Sequence, residues 1–495
     1  MALGFHPQFL KVVEALEREF PVSNWRCGDV EVWPLARMDL YLDMFWAESK
    51  FPRPRLRPAP LRALGRLATP GRNLWKSRRD LEHFVVKPRR AHAVFLGDGL
   101  SLDLIDGAWQ DRFCEPLIAE LERCGLGWFL MQGAELARLP WHRPTFSANI
   151  LAAWGEWMAP FAPQVVLEQH SNLIRALHAR GIVAPSLAYG PLRRRAQIVH
   201  ATADAFEWLL RAVRPTLAFV VTFYAGLGAP FLVACRRRRV LSIDLQHCPQ
   251  EGSHKAYGWW RVPERGYATL PAVFWTWTRK EADYIGDWTA RLGRPWHSSL
   301  HGGHTQFASF AAESASAEDR WFSVASHDSV EREILVALQP LGGGELWLAL
   351  RRQIEAAPRS WRWWIRRHPG STADQDREFE ALLSLRLPNV MIEAASRLPL
   401  PALLRHMHAL LSFASGAAVE AAAFGVPAYF LSREAADPFS TLIGRGEARI
   451  VDIADLMEVL RRAAPSGASP DQWRAAPLAE TLHRLTDMAH AYGRW

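Results

Sequence analysis

Short apolar runs alternate with amphipathic, helix-like stretches along most of the chain. Four early runs have the length and apolar character of buried strands: Ala93 to Leu96, Trp128 to Leu130, Leu217 to Val221 and Val240 to Ile243. Stretches with helical periodicity, such as Glu115 to Cys124, separate them. This alternation predicts an α/β fold with parallel strands.

A second series of apolar runs follows the small, polar residues 311–318. Its members are Trp321 to Ala325, Trp363 to Ile365, Val390 to Ile392, Ala409 to Leu411 and Ala428 to Leu431. A chain of 495 residues exceeds what one hydrophobic core usually supports. We therefore expect two Rossmann-like domains facing across a cleft, at 1–315 and 316–476, with a final helix at 477–495 able to fold back onto the first domain.

One segment is long and apolar enough to suggest a membrane span. Pro215 to Cys235 carries no charge, but Gly226, Gly228 and Pro230 interrupt it where a strand-to-helix turn would fall. The segment therefore predicts a strand, a turn and a short helix. The five cysteines are scattered, and the first residues lack the pattern of a signal peptide, so we expect a cytoplasmic protein with reduced thiols.

The basic residues that give the chain its formal net charge of +8 are unevenly distributed along the sequence. Residues 53–90 contain twelve Lys and Arg residues against only Asp80 and Glu82. Such a basic arm favours an anionic partner, and no nucleic-acid-binding motif accompanies it. Anionic lipid headgroups are the partner that we expect, which predicts peripheral attachment at the inner membrane; an ordinary solvated basic face remains the alternative.

Two sequence motifs place phosphate-binding groups in the second domain. The strand ending at Ile365 runs into Arg366-Arg367-His368-Pro369, where His368 can donate to a phosphate oxygen, Arg366 adds charge and Pro369 fixes the turn. The simplest alternative for His368 is a hydrogen bond to a backbone carbonyl in that turn. The carboxyl ends of parallel strands are where such folds bind nucleotides.

The second motif begins after the strand Ala409 to Leu411. Ser415 and Gly416 start a helix whose first backbone N–H groups are uncovered, and a helix start favours an anion. Glu420 is the only acid of an otherwise apolar run, so it either reaches ribose hydroxyls or pairs with a nearby base. We favour the contact with the ribose.

Acid–base chemistry is expected from the first domain. The loop after Ile243 offers His247, Glu251 and His254, and Asp98 follows an earlier strand as a competing general base. Alternatively, these loop side chains are solvated and have no catalytic role. The sequence does not choose among them.

No Asp-x-Asp pair follows a strand, and Asp103 and Asp106 have the wrong spacing to hold a metal under a diphosphate. The sequence therefore predicts an enzyme without a metal or other cofactor. Fixed dipoles and cations would stabilise the leaving phosphate instead.

Together these residues resemble a bacterial protein family. His368-Pro369 with the Ser415-Gly416 helix start resembles the motifs of GT-B transferases that use CMP-activated sugars, such as polysialyltransferases and capsule Kdo transferases. Asp244 to Tyr257 is similar to a strand-Gln-His-Gly loop of surface-carbohydrate biosynthesis proteins, and Trp33 to Arg37 to a Trp-Pro-x-x-Arg element found in some of them.

The chain departs from that family at two places. Cys248 stands where Gly is usual, and Ala414-Ser415 replaces a Ser-Ser or Thr-Ser pair. The resemblance implies that His368 and Ser415 contact the donor phosphate. It also implies that a carboxylate or histidine of the first domain deprotonates an acceptor hydroxyl.

The expected function is thus transfer of a sugar from a nucleotide-activated donor to a surface polysaccharide or lipid-linked glycan. A CMP-sugar is the favoured donor, and we expect inversion at the anomeric carbon. A nucleotide-sugar 2-epimerase of GT-B fold is the enzymatic alternative; that resemblance implies a Gly-Gly and a Glu-Glu pair, whereas Gly416 and Glu420 are single. A non-catalytic glycan- or membrane-binding module is the third possibility.

Overall fold

The computed structural model describes residues 5–48, 90–105, 108–133, 143–250, 254–290, 296–306, 330–339, 344–368, 379–436, 438–465 and 476–493. The chain forms two compact units. Unit 1 comprises Met1–Ser101, Asp111–Gly303 and Ala475–Trp495, and unit 2 comprises Leu102–Gln110 and His304–Arg474. The predicted limits at 315 and 476 stay predictions, because residues 307–329 and 466–475 lie outside the described chain. The basic arm lies outside it as well, apart from Arg90.

Unit 1 contains a mostly α/β series of elements. Its helices are α1 (Phe5–Glu19), α2 (Trp33–Glu48), α3 (Cys114–Arg123), α4 (Asn149–Met158), α5 (His170–Ala179), α6 (Tyr189–Val213), α7 (Gly228–Arg238) and α8 (Arg279–Thr289), and the last helix of the chain, Leu478–Tyr492. Its strands are β1 (Arg26–Cys27), β2 (Val30–Glu31), β3 (Ala93–Gly97), β6 (Trp128–Gln132), β7 (Thr145–Ser147), β8 (Val165–Val166), β9 (Leu217–Val220), β10 (Leu241–Leu245), β11 (Val273–Thr276) and β12 (Ser298–His301). Two further strands, β4 (Leu102–Ile105) and β5 (Ala108–Asp111), pair with each other and belong to unit 2 apart from Asp111.

A seven-stranded parallel sheet forms the centre of unit 1, in the order β12-β11-β10-β9-β3-β6-β7. The apolar runs predicted as strands form its middle, where β3, β9 and β10 are buried along their whole length. The helix α6 packs against both α4 and α7. The strands β2, β1 and β8 form a small antiparallel sheet that contacts α6.

Unit 2 repeats the architecture. Its helices are α9 (Gly344–Ala356), α10 (Glu380–Leu383), α11 (Glu393–Arg397), α12 (Leu400–Leu404), α13 (Ala417–Ala423), α14 (Ser440–Gly444) and α15 (Leu456–Arg462), and its strands are β13 (Arg332–Ala337), β14 (Trp361–Arg366), β15 (Val390–Met391), β16 (Ala409–Ser412), β17 (Ala428–Phe430) and β18 (Ala448–Ile450). The strands form one parallel sheet in the order β15-β14-β13-β16-β17-β18. The predicted α/β class with parallel sheets is confirmed. The strand expected at 321–325 lies outside the described residues.

The apolar segment Pro215 to Cys235 forms β9, a turn and most of α7, as predicted. The helix is longer than the sequence suggested, because it continues through Arg236, Arg237 and Arg238. Basic side chains in a last helical turn are favoured by the helix dipole. Within the described part of the chain, no helix is both long and apolar enough to cross a membrane.

The Trp33 to Arg37 element lies at the start of α2 and is part of the core. The Trp33 indole donates to Glu17 at 2.7 Å, and the Arg37 guanidinium lies 3.6 Å from the same carboxylate and 3.7 Å from the centre of the Trp260 ring. Arg37 is fully buried, so the ion pair and the aromatic ring replace its lost hydration. This element therefore joins α1, α2 and the loop around Trp260.

Gly228, the first residue of α7, offers a test of the fold. A Cβ there would lie 2.3 Å from the Thr222 carbonyl oxygen and 2.4 Å from that of Phe223, whereas a Cβ at Gly190 of α6 meets nothing within 4 Å. We expect Gly228→Ala to lower the free energy of unfolding by about 1–3 kcal/mol, and Gly190→Ala to leave it nearly unchanged. Urea unfolding followed by circular dichroism measures both; equal stability of the two variants would contradict this packing.

Candidate functional site

The strand order of unit 1 creates a switch point between β3 and β9. The chain leaves β3 towards β6 on one side, and leaves β9 towards β10 on the other. Loops that follow β3, β9 and β10 therefore diverge at the same edge of the sheet, where open α/β sheets bind their ligands. These loops carry Asp98, Tyr224 and His247, respectively.

His247 is the centre of a polar cluster at this edge. Its Nε2 lies 3.1 Å from the Tyr224 hydroxyl, 3.4 Å from the Thr222 hydroxyl and 3.5 Å from the Cys248 sulfur. Burial lowers the pKa of His247 to about 4; the charge of Asp98 opposes this shift and the charge of Lys255 adds to it. The imidazole is therefore neutral at pH 7 and can accept a proton.

Asp244, in β10, fixes the position of the loops around His247. Its carboxyl accepts a hydrogen bond from the Tyr257 hydroxyl at 2.8 Å and one from the Phe223 amide at 3.1 Å. Burial raises the pKa of Asp244 to about 8, although both hydrogen bonds act in the opposite direction. No role was predicted for Asp244 from the sequence; its place in the middle of an apolar strand was the available signal.

The cluster also contains Cys248, His254 and Lys255, and none of these is an anionic nucleophile. Burial raises the pKa of the Cys248 thiol to about 12, so the sulfur is protonated at neutral pH. His254 lies 3.8 Å from that sulfur. The Lys255 ammonium lies over the Tyr224 and Tyr41 rings, 5.4 and 4.7 Å from their centres, and adds positive charge beside His247.

Gln246, of the Gln-His pair, has a structural role. Its amide donates to Glu281 at 2.5 Å and to the Cys248 carbonyl at 2.9 Å, and accepts from the Trp277 amide at 2.5 Å. Glu281 belongs to the capping box of α8 with Thr278. Gln246 thus anchors the His247 loop to the start of α8.

The other predicted bases of the first domain have different surroundings. Asp98 accepts from the Leu100 and Ser101 amides, both at 2.8 Å, and from the Ser101 hydroxyl at 3.1 Å. Its carboxylate therefore closes a turn and acts on His247 through its charge. Glu251 and Asp106 lie outside the described residues, and Asp103 is buried in unit 2.

The sheet of unit 2 has a switch point of its own, between β13 and β16. Gln339, just after β13, bridges it: its amide donates to the Ala414 carbonyl at 3.0 Å and accepts from the Ala414 amide at 2.8 Å. Gln339 was not predicted as a site residue from the sequence. The only signal was a polar side chain directly after an apolar strand.

This bridge positions the predicted Ser-Gly helix start. The Ser415 amide donates to the Ser412 hydroxyl at 2.9 Å, and the Ser415 hydroxyl accepts from the Ala417 amide at 3.2 Å. Gly416 directly precedes α13. Ser415 thus satisfies one amide of the first turn, as a capping residue does.

The cationic turn after β14 uses its arginines within unit 2. The buried Arg366 guanidinium donates to the Ala395 carbonyl at 2.7 Å and to the Leu398 carbonyl, and lies 3.5 Å from Asp103. Arg367 pairs with Glu393 at 2.9 Å. His368 is half-buried, and Pro369 lies outside the described residues.

Glu420, on α13, is buried and has a basic neighbour. Its Oε1 lies 3.3 Å from Nε2 of His304, which is fully buried. Pairing with a base was one of the two roles left open by the sequence; the contact with a ribose stays a prediction. His304 lies more than a hundred residues away in the chain, so the pattern around Glu420 held no sign of it.

No group of three or more His, Cys, Asp or Glu side chains among the described residues is arranged to hold a metal ion. All five cysteines are free thiols.

Comparison with known proteins identifies the fold. No protein-family model and no curated protein sequence matches the chain. Among solved structures, a UDP-GlcNAc 2-epimerase from Neisseria meningitidis bound to UDP-GlcNAc aligns over 81% of this chain and 99% of its own, with a TM-score of 0.50 and 13% identity. The glycosyltransferase SnogD from Streptomyces nogalater aligns over 81% of this chain and 100% of its own, with a TM-score of 0.43 and 16% identity. The chain has a GT-B fold, as predicted.

The pKa of Asp244 predicts a pH dependence of stability. A carboxyl whose pKa rises on folding binds its proton more tightly in the folded state, so its contribution to stability falls as the pH rises from about 4 to about 8. At about 1.4 kcal/mol per pKa unit, wild type should lose at least about 2 kcal/mol more than Asp244→Asn between pH 5 and pH 8.

Urea unfolding at both pH values measures this difference. Asp283→Asn, at an exposed position of α8, is the matched control and should behave as wild type. If Asp244→Asn loses as much stability as wild type over this range, the carboxyl is already ionised in the fold.

Proposed function

We propose that the protein is an enzyme that acts on a nucleotide-activated sugar, with His247 as its general base. The observation that carries this proposal is a neutral, half-buried imidazole at the switch point of unit 1, bonded to the Tyr224 hydroxyl at 3.1 Å. Its site in a GT-B fold supports a sugar nucleotide as the substrate, and the bound ligand of the Neisseria structure is one.

Within unit 1, the geometry favours glycosyl transfer. Among the described members of the cluster, Asp244 is committed to Tyr257 and Phe223, and Asp98 closes a turn. This leaves His247 as the base best placed to take a proton. Glycosyl transfer is a single displacement at a sugar carbon and needs one base. Epimerisation inverts a carbon that bears hydrogen, and it needs a base and an acid on opposite faces of that carbon.

In the proposed step, an acceptor hydroxyl attacks the anomeric carbon of the donor. The new carbon–oxygen bond forms as the bond from that carbon to the nucleotide phosphate breaks, and the phosphate keeps the electron pair. The hydroxyl proton passes to Nε2 of His247. The Tyr224 hydroxyl, whose pKa burial raises well above its usual range, stays protonated and can accept a hydrogen bond from the Nε2–H that this step creates.

We assign the nucleotide to unit 2. Gln339 holds Ala414, next to Ser415, at the switch point, and His368 follows the neighbouring strand β14; both support the phosphate contacts implied by the family resemblance. Arg366 would act there by fixing the β14 turn, since Asp103 and two backbone carbonyls already occupy its guanidinium. CMP is the favoured nucleotide on the sequence motifs.

A 2-epimerase is the second candidate. The structural comparison supports epimerisation better than glycosyl transfer. The Neisseria 2-epimerase aligns over 99% of its own chain with a TM-score of 0.50. The single Gly416 and Glu420 favour transfer.

Product analysis separates the candidates. The purified protein is incubated in deuterated water with UDP-GlcNAc or a CMP-sugar, with and without a glycan acceptor, and followed by NMR. Transfer predicts release of the nucleotide that depends on the acceptor. Epimerisation predicts a C2 epimer carrying deuterium without any acceptor. No change in either donor would indicate a non-catalytic binding module and overturn the proposal.

Replacement of His368 tests the phosphate contact. If His368 stabilises the leaving phosphate, His368→Ala should cost about 2–4 kcal/mol of transition-state stabilisation, which is a loss of about 30-fold or more in kcat/KM. His483→Ala, at an exposed position of the last helix, is the control. Near-normal turnover by a folded His368→Ala variant would remove this residue from the site.

A further inference from the structure

A cavity of about 760 Å³ lies in unit 1 beside the acid–base cluster. The amino-terminal half of α6 forms one wall, with Arg194, Arg195 and Ile198, and the loop after β9 forms the other, with Tyr224 and Gly226. Pockets for small ligands span about 300–1,000 Å³, so this one has room for a sugar with a charged substituent.

The two arginines of the cavity differ in their partners. Arg195 forms an ion pair with Asp39, and burial lowers the pKa of its guanidinium to about 10, which leaves it charged at neutral pH. The Nε atom of Arg194 is buried and makes no hydrogen bond, and no acid of the described chain forms an ion pair with Arg194. Arg194 therefore brings an uncompensated positive charge to the cavity.

The start of α7 adds to the positive potential. Ala229, in the first turn of this eleven-residue helix, lines the cavity together with Ala225 and Gly226. The amino end of a helix carries partial positive charge and attracts anions. A guanidinium and a helix start at one cavity together favour a phosphoryl group, whose oxygens fit the fork of an arginine.

The cavity is also next to the proposed base. Tyr224 lines it, and the hydroxyl of the same side chain lies 3.1 Å from Nε2 of His247. A ligand anchored at Arg194 would thus extend towards the group that takes a proton in the proposed transfer.

We propose that this cavity binds the phosphoryl group of a phosphorylated acceptor, an inference that rests on the proposed glycosyl transfer. Arg194 is the residue that recognises the phosphoryl group, and Tyr224 marks the side on which the acceptor hydroxyl is presented to His247. A soluble sugar phosphate and a lipid-linked phosphate share this chemistry.

Isothermal titration of the full-length protein with glucose 1-phosphate, and with glucose as the uncharged control, tests the site. If the acceptor is a soluble sugar phosphate, glucose 1-phosphate should bind and glucose should not. The Arg194→Gln variant loses a charge-assisted hydrogen bond, so its affinity for glucose 1-phosphate should be about tenfold or more weaker. The Arg194→Lys variant should show an intermediate loss, because lysine keeps the charge but lacks the forked guanidinium. Arg193→Gln changes the exposed neighbour on the same helix and should bind as wild type.

Vesicles with and without polyprenyl phosphate form the second arm. Binding that needs polyprenyl phosphate and Arg194, with no binding of glucose 1-phosphate, identifies a lipid-linked acceptor; the reverse identifies a soluble one. Equal affinity of Arg194→Gln and wild type for both ligands overturns the inference, and so does equal binding of glucose and glucose 1-phosphate.

Titration with CMP and UDP keeps this inference separate from the proposed function. Both nucleotides should bind the Arg194→Gln and wild-type proteins equally, since we assign them to unit 2. Turnover of a sugar nucleotide without phosphate binding at Arg194 would overturn the acceptor site alone. Binding at Arg194 without any turnover would overturn the proposed function and leave an anion site.

Discussion

The buried Asp244 carboxyl holds the candidate site of unit 1 together. It is fully buried, yet it accepts a hydrogen bond from the Phe223 amide in one loop and from the Tyr257 hydroxyl in another. Removal of these bonds would leave a buried polar group unsatisfied, so the loops after β9 and β10 are fixed relative to each other. Tyr224 and His247 owe their contact to this arrangement.

The same apolar surroundings set the protonation of the cluster. Burial favours the neutral form of each group, which raises the pKa of Asp244 and Cys248 and lowers that of His247. An imidazole kept neutral has a lone pair free to accept a proton, and its low pKa makes it a weaker base than an ordinary histidine, whereas a thiol kept protonated is a poor nucleophile. The apolar surroundings thus keep His247 as a base and keep the neighbouring Cys248 thiol unreactive.

Local patterns were sufficient to predict most of the fold. Apolar runs such as Leu217 to Val221 coincide with buried strands, because strand burial depends on a few consecutive residues. The place of His247 after β10 followed from the same reasoning, since the end of a parallel strand lies at the ligand-binding edge.

Contacts between distant residues could not be predicted in this way. Gln339 meets Ala414, Glu420 meets His304, and Arg366 meets Asp103, each across a long stretch of chain. Such pairs depend on strand order, and one sequence gives little information on the order of parallel strands. For this reason Arg366 resembled a free phosphate-binding cation in the sequence, although its contacts in the structure are internal.

The role of a neutral His247 as the base that takes the proton of the acceptor hydroxyl is central to the proposed transfer. The pH dependence of kcat/KM for the consumed donor tests it most directly, because the acidic limb reports the pKa of the base in the free enzyme. With the pKa of His247 near 4, the rate should hold down to about pH 5 and fall only below it. A fall centred near the ordinary histidine value of about 6.5 would contradict the claim.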